Sequence, residues 1–196
     1  MPPPALLVAG SYVVGLAPTA HVVSRRLGHD PTREGSGNPG ASNVYRTAGS
    51  TAGALVLAGD VVKGVVPTLA GRKLGGRRLG LLCGAAAVAG HVLPVTRRFR
   101  GGKGVATAAG LSLALDPGVT VASSGVWLGV FGVSRTASLA SVTTAVLWPL
   151  LVAARGRPVV EVAGVAAVAA LVLARHRDNL GRLAQGTEHR LRPAAA

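Results

Sequence analysis

Four stretches of the chain, residues 4–24, 79–96, 117–134 and 136–154, contain no Asp, Glu, Lys or Arg. Each is close to the roughly 20 residues that carry an α-helix across the hydrocarbon core of a bilayer. Backbone amides in that core find no water, so a crossing segment must be a helix or part of a closed barrel. The runs lack the period-two alternation of barrel strands. The expected fold is therefore all-α, a polytopic transmembrane helical bundle forming a single domain over residues 1–196.

Three less uniform stretches complete the bundle: 47–70, with Asp60 and Lys63; 104–115, which is short; and 158–174, with Glu161. About seven spans result. The seventh depends on Asp116-Pro117-Gly118, read as a turn dividing residues 104–134; without it there are six. The first run lacks a basic leader and is followed by Arg25 and Arg26, so it reads as a helix and not as a signal peptide.

Only 14% of the residues are charged and 49% are hydrophobic, yet the formal net charge is +14. Soluble domains carry about 25% charged residues. An apolar, basic chain points to a lipid bilayer and anionic small molecules as partners, with no nucleic acid. The 28 glycines suit close helix approach in lipid. Cys83, the single cysteine, cannot form an intramolecular disulfide.

Basic residues mark the cytoplasmic side of a membrane protein. With seven spans, one side holds Arg25, Arg26, Arg33, Arg46, Arg97, Arg98, Arg100, Lys103 and Arg135, with Arg175, Arg177, Arg182, Arg190 and Arg192 in the tail. The other holds Arg155, Arg157 and the cluster Arg72, Lys73, Arg77 and Arg78, which runs against the assignment. The expected orientation is N-terminus outside and C-terminus cytoplasmic, with Trp127 and Trp148 as interfacial anchors.

Three polar segments fall on that cytoplasmic side. Residues 35–43, GSGNPGASN, followed by Arg46, combine Gly37 and Gly40 with Ser36, Asn38, Ser42 and Asn43. Glycine-rich backbone among small hydroxyl and amide side chains can present N–H donors to a phosphate. The segment also fits G-x-G-x-x-G, but the polar residues before it form no strand, so a dinucleotide site fails its structural test. The second segment, FRGGKG at 99–104, puts Gly101, Gly102 and Lys103 at the start of an apolar run, where a helix N-terminus and an ammonium would face one anion. The third, past the last span, holds His176 and Asn179 at helical spacing and then Glu188. Asp60 and Lys63, inside a span, read as a mutual ion pair and secondary site candidates, as does His91.

The order and wording of these segments resemble the PlsY family, bacterial membrane acyltransferases. The resemblance rests on GSGNPGASN with Arg46, Asp60-Val61-Val62-Lys63-Gly64, GHVLP at 90–94, FRGGKGVAT at 99–107, Ser138-Leu139-Ala140-Ser141, and HRDNLGRL with GTE at 176–188. Each alone is weak; together in this order they are specific. Ser42 stands where Thr is usual, Arg100 where Lys is frequent, and Gly10-Ser11 lacks the family's nearby proline.

The resemblance implies seven helices and an active site facing the cytoplasm in the bacterial inner (plasma) membrane. It implies that Ser36, Asn38, Arg46, Lys103, Ser141, His176 and Asn179 surround the substrate phosphates and the reacting hydroxyl, with Ser138 as a secondary candidate. The implied reaction moves a fatty acyl group from acyl phosphate to the 1-hydroxyl of sn-glycerol 3-phosphate, giving lysophosphatidic acid and phosphate for phospholipid synthesis. Neither acyl-CoA nor acyl carrier protein serves as donor. No cofactor is expected, an oligomer is not required, and seven scattered acidic residues suggest no metal site. His-x4-Asp acyltransferase chemistry is absent, since His91 is followed by Thr96 and His176 by Gly181 at that spacing. The rival class, an anion transporter, usually carries an internal repeat, and the GSGN and GGKG loops are not copies of one another.

Overall fold

The computed structural model describes residues 2–190, so Arg192 lies outside the described residues. Those residues are all-helical: α1 (Pro4–Gly15), α2 (Thr19–Arg26), α3 (Ala41–Ala48), α4 (Ser50–Val92), α5 (Val105–Leu115), α6 (Pro117–Ser134), α7 (Ala137–Ala154), α8 (Val159–Ala174) and α9 (Arg177–Ala184). By length and apolarity four segments can cross a membrane: Pro4–Arg26, Ser50–Arg97, Pro117–Ser134 and Ala137–Ala154. A fifth results if α8 and α9, bent 61° apart, count as one.

The first apolar run is a broken helix where the sequence reading had a continuous one. Pro18 has no N–H to donate and ends the regular ladder. The carbonyls of Leu16 and Ala17 are left to accept from Arg97 at 3.0 Å and from Lys63 at 2.9 Å. Stretches 47–70 and 79–96 become two limbs of α4, which reverses at Gly75 and Gly76. Gly76 has φ +76°, a left-handed backbone that glycine adopts without strain. Beyond the turn the limbs lie side by side, with Gly71 against Cys83 and Gly80 against the Thr68 carbonyl.

Asp116 divides residues 104–134 as read from the sequence. Its carboxylate caps α6 by accepting from the Val119 amide at 3.2 Å, and Pro117 takes the first helical position, where a missing N–H costs nothing. Helix α5 packs along α4 through paired glycines. Gly64 sits on the Thr107 carbonyl and Gly110 on the Val61 carbonyl. Leu111, Val119, Trp148 and Val168 fill the apolar core beside them.

Two of the four basic residues at 72–78 are engaged by the protein, while Lys73 and Arg78 are exposed. Arg72 and Arg77 donate to the carbonyls of Ala114 and Leu115 at 2.8 and 2.7 Å, capping the C-terminus of α5, where the helix dipole favours cations. Arg77 also grips both carboxylate oxygens of Glu161. Nearby, Arg157 pairs with Asp116 at 2.5 Å. A count of positive charge per side treats Arg72 and Arg77 as loop residues, whereas both cap α5.

Candidate active site

The loop between α2 and α3 is held by one side chain. Asn43, 2% exposed, donates from its amide to the carbonyls of Pro31 and Glu34, both at 3.0 Å, and accepts from the Ser36 amide at 2.7 Å. Glu34 braces the loop from its other flank by accepting from the Asp30 amide and the His29 ring, each at 2.7 Å. Gly35 and Gly37 turn the chain with φ of +60° and +68°. The amides of Gly37 and Gly40 donate to loop carbonyls, which differs from the expected fan of N–H groups aimed outward. This segment lines the cavity with Ser36, Asn38, Gly40, Ser42, Asn43 and a half-buried Arg46.

Gly101 and Gly102 are packing positions. The Gly102 amide donates to the His91 carbonyl at 3.2 Å, and a Cβ on either glycine would run into His91. Arg175, at the end of α8, donates to the Gly101 carbonyl at 3.0 Å. This close seat aims Lys103 into the cavity, where its ammonium donates to Asn179 Oδ1 at 2.6 Å. The Asn179 amide donates to Glu188 at 3.0 Å, and Arg182 holds the other oxygen of Glu188 at 3.0 Å. His176, 2% exposed, has Nδ1 2.8 Å from the Val172 carbonyl. A carbonyl only accepts, so Nδ1 carries the proton and Nε2 keeps its lone pair.

One cavity of about 520 Å³ joins these parts. Its mouth is lined by Ser36, Asn38, Arg46, Lys103, His176, Asn179 and Glu188, and its depth by residues of α5, α6, α7 and α8. Ser138 and Ser141 line it from the first turns of α7. Ser141 donates to the Ala137 carbonyl and accepts from Trp127 Nε1 at 3.1 Å; the buried Ser138 hydroxyl has no partner. Trp127 and Trp148 both line the cavity. One sequence could not reveal this, because an indole suits a cavity wall as well as a membrane interface. Gly37, Gly101, Gly102 and Lys63 are not part of the cavity wall.

Beside the mouth, Asp60 pairs with Lys63 at 2.8 Å, as the i, i+3 spacing implied, and accepts from Thr19. The Lys63 ammonium also donates to the Ala17 carbonyl and to His91 Nδ1 at 3.1 Å, so all three of its protons are placed. This buried knot ties the break after α1 to both limbs of α4, and Asp60 and His91 reach the cavity from it. Thr19 and Arg97 belong to the knot, and no spacing in the sequence marks them.

The electrostatics of the mouth favour anions. Helices α3, α5 and α7 all begin at its wall, turning the positive ends of their dipoles toward it. Burial lowers the Lys103 ammonium to about 8, with Glu188 pulling the other way, so it is charged at neutral pH. Burial pushes the His176 ring down to about 4, so it is neutral there. Among the described residues no three His, Cys, Asp or Glu side chains gather as a metal site needs. The cavity can neutralise phosphates at its mouth while holding an apolar chain below.

Residues 5–186 match the family model described as glycerol-3-phosphate acyltransferase. The chain is 42% identical over 188 residues to the glycerol-3-phosphate acyltransferase of Geobacter sulfurreducens, covering 95% of this chain and 97% of that one. It is 45% identical over 186 residues to that of Rubrobacter xylanophilus, covering 94% of each. Crystal structures of PlsY, an integral membrane glycerol 3-phosphate acyltransferase, superpose on it at 39% identity. The TM-scores are 0.93 for the glycerol 3-phosphate form and 0.91 for the lysophosphatidic acid form, each covering 96% of this chain.

Proposed function

The chain belongs to the glycerol-3-phosphate acyltransferase family, and from that premise we propose that it transfers a fatty acyl group from acyl phosphate to the 1-hydroxyl of sn-glycerol 3-phosphate. The products are 1-acyl-glycerol 3-phosphate and inorganic phosphate. The observation that carries this reading is the union, in one cavity, of Arg46, Lys103 and three helix N-termini at the mouth with an apolar groove beneath. We place the mouth at the cytoplasmic face of a bacterial plasma membrane, with seven crossing segments, the N-terminus outside and the C-terminus inside.

Acyl phosphate already carries a good leaving group, so positioning and charge neutralisation matter more than a strong base. Two phosphorylated substrates repel one another, and Arg46 and Lys103 offset the repulsion. Ser36, Asn38, Ser42, Ser138 and Asn179 supply neutral donors for the phosphate oxygens, while Ser141, whose one proton goes to the Ala137 carbonyl, lines the wall beside them. Asn43, Gly101 and Gly102 hold the two loops in shape. His176 presents a neutral Nε2 that orients the attacking hydroxyl, and a phosphate oxygen of the substrate takes the proton. The attacking oxygen forms its bond to the acyl carbon as the bond to phosphate breaks, releasing phosphate.

Purified protein given acyl phosphate and radiolabelled glycerol 3-phosphate should form labelled lysophosphatidic acid, and acyl-CoA in parallel should not. Product from acyl-CoA alone overturns the donor assignment. The kcat/KM profile should fall above about pH 8, as Lys103 loses its proton in the free enzyme. His176→Ala should lower kcat by roughly 10- to 100-fold, less than the roughly 100- to 10,000-fold that a true acid–base group contributes, and keep the wild-type shape of the pH profile. Loss of one limb of the profile in that variant would instead make the ring the base.

A further inference from the structure

The cavity continues well past the polar mouth. Along α7 its lining runs from Ser138 to Trp148, ten residues later, about 15 Å at 1.5 Å per residue. There it ends against a crosspiece of three helices. Trp148 of α7, 6% exposed, donates from Nε1 to Ser112 Oγ of α5 at 3.2 Å. The Ser112 oxygen lies 2.9 Å from Thr120 Oγ1 of α6. Behind the crosspiece lies the turn at Asp116, held by Arg157 and approached by Arg155. A methyl group driven past the indole would have to displace this charged closure.

We infer that Trp148, pinned by Ser112, is the floor of the acyl-chain groove and sets the longest chain the enzyme accepts. The inference rests on the acyltransfer reading above and adds to it the residue that measures the donor. The indole is held on three sides: by its own helix, by the Ser112 hydrogen bond, and by the apolar core in which it is packed. A stop fixed in this way discriminates by steric exclusion, which a flexible apolar side chain would do poorly. About 15 Å of groove accommodates roughly a dozen extended carbons, at an advance of about 1.25 Å per tetrahedral carbon.

The test is a competition among saturated acyl phosphates from octanoyl to stearoyl, with glycerol 3-phosphate as acceptor and the lysophosphatidic acids read by mass spectrometry. Ratios within one reaction cancel any general loss of activity. Trp148→Ala should shift the preferred chain longer by about four carbons, the extent of the missing ring system at about 1.25 Å per carbon. Ala145→Leu, which narrows the groove about one turn above the floor, should shift it shorter. If Trp148→Ala does not fold, Ala145→Leu and Ser112→Ala decide, the latter by broadening the long-chain edge of the profile. An unchanged profile in every variant that folds overturns the inference. A wild-type enzyme that makes no product from any acyl phosphate fails the functional reading instead.

Discussion

Lys103→Met should lower kcat/KM for glycerol 3-phosphate by about a thousandfold, roughly 4 kcal/mol, within the range for removing one partner of a desolvated charged contact. The ammonium is half-buried at the cavity mouth and makes a 2.6 Å hydrogen bond to Asn179. Its removal leaves phosphates facing each other with one cation fewer and strips Asn179 Oδ1 of its donor. Lys103→Arg should recover little, because a planar guanidinium cannot replace a compact ammonium on a backbone seated this tightly against His91. Steady-state kinetics on detergent-solubilised protein, with the melting temperature as control, measures the effect. A loss below tenfold would remove Lys103 from the chemistry.

The second large effect should come from two residues with no side chain. A Cβ on Gly64 would overlap the Thr107 carbonyl and come within 2.9 Å of the Leu111 nitrogen; one on Gly110 would overlap the Val61 carbonyl. The obstacles are backbone, which cannot rotate aside, so α4 and α5 must separate. Overpacking of this kind costs about 1–3 kcal/mol or more per site. Gly64→Ala and Gly110→Ala should each lower the melting temperature by several degrees and weaken glycerol 3-phosphate binding, because Lys103 stands in the loop that leads directly into α5. The double variant should be less damaged than the sum, since one separation of the helices relieves both clashes. Strict additivity, or an unchanged KM in both single variants, would show that the crossing does not position the loop.

Fold class was legible because lipid leaves the backbone few choices, and uncharged runs near 20 residues announce the result. The division at Asp116 could be read because a capping carboxylate followed by proline has local physics. The break at Pro18 could have been taken from its missing N–H, but its partners, Lys63 and Arg97, come from distant segments. Lys103, Asn179 and Glu188 were named from motifs, yet their chained hydrogen bonds depend on how α8 and α9 bend. Asn43 shows the opposite case. It stands among phosphate-binding residue types and lines the cavity, while its amide is engaged by the loop backbone. Residue type and neighbourhood in sequence do not distinguish a group that touches substrate from one that shapes the loop.

The reversal at Gly75–Gly76 bears on how the chain is inserted during synthesis. The first limb of α4 carries Asp60 and Lys63 into hydrocarbon, where each charge costs about 2.5–3.5 kcal/mol near the middle of a membrane. Their remaining partner within α4, His91, stands on the second limb, and the lipid-facing alternative offers none. The two limbs should therefore leave the translocon as a hairpin, and a nascent chain cut after residue 76 should integrate poorly in a glycosylation-mapping assay. Efficient integration of that fragment would show that the first limb carries its buried charges into the bilayer unaided.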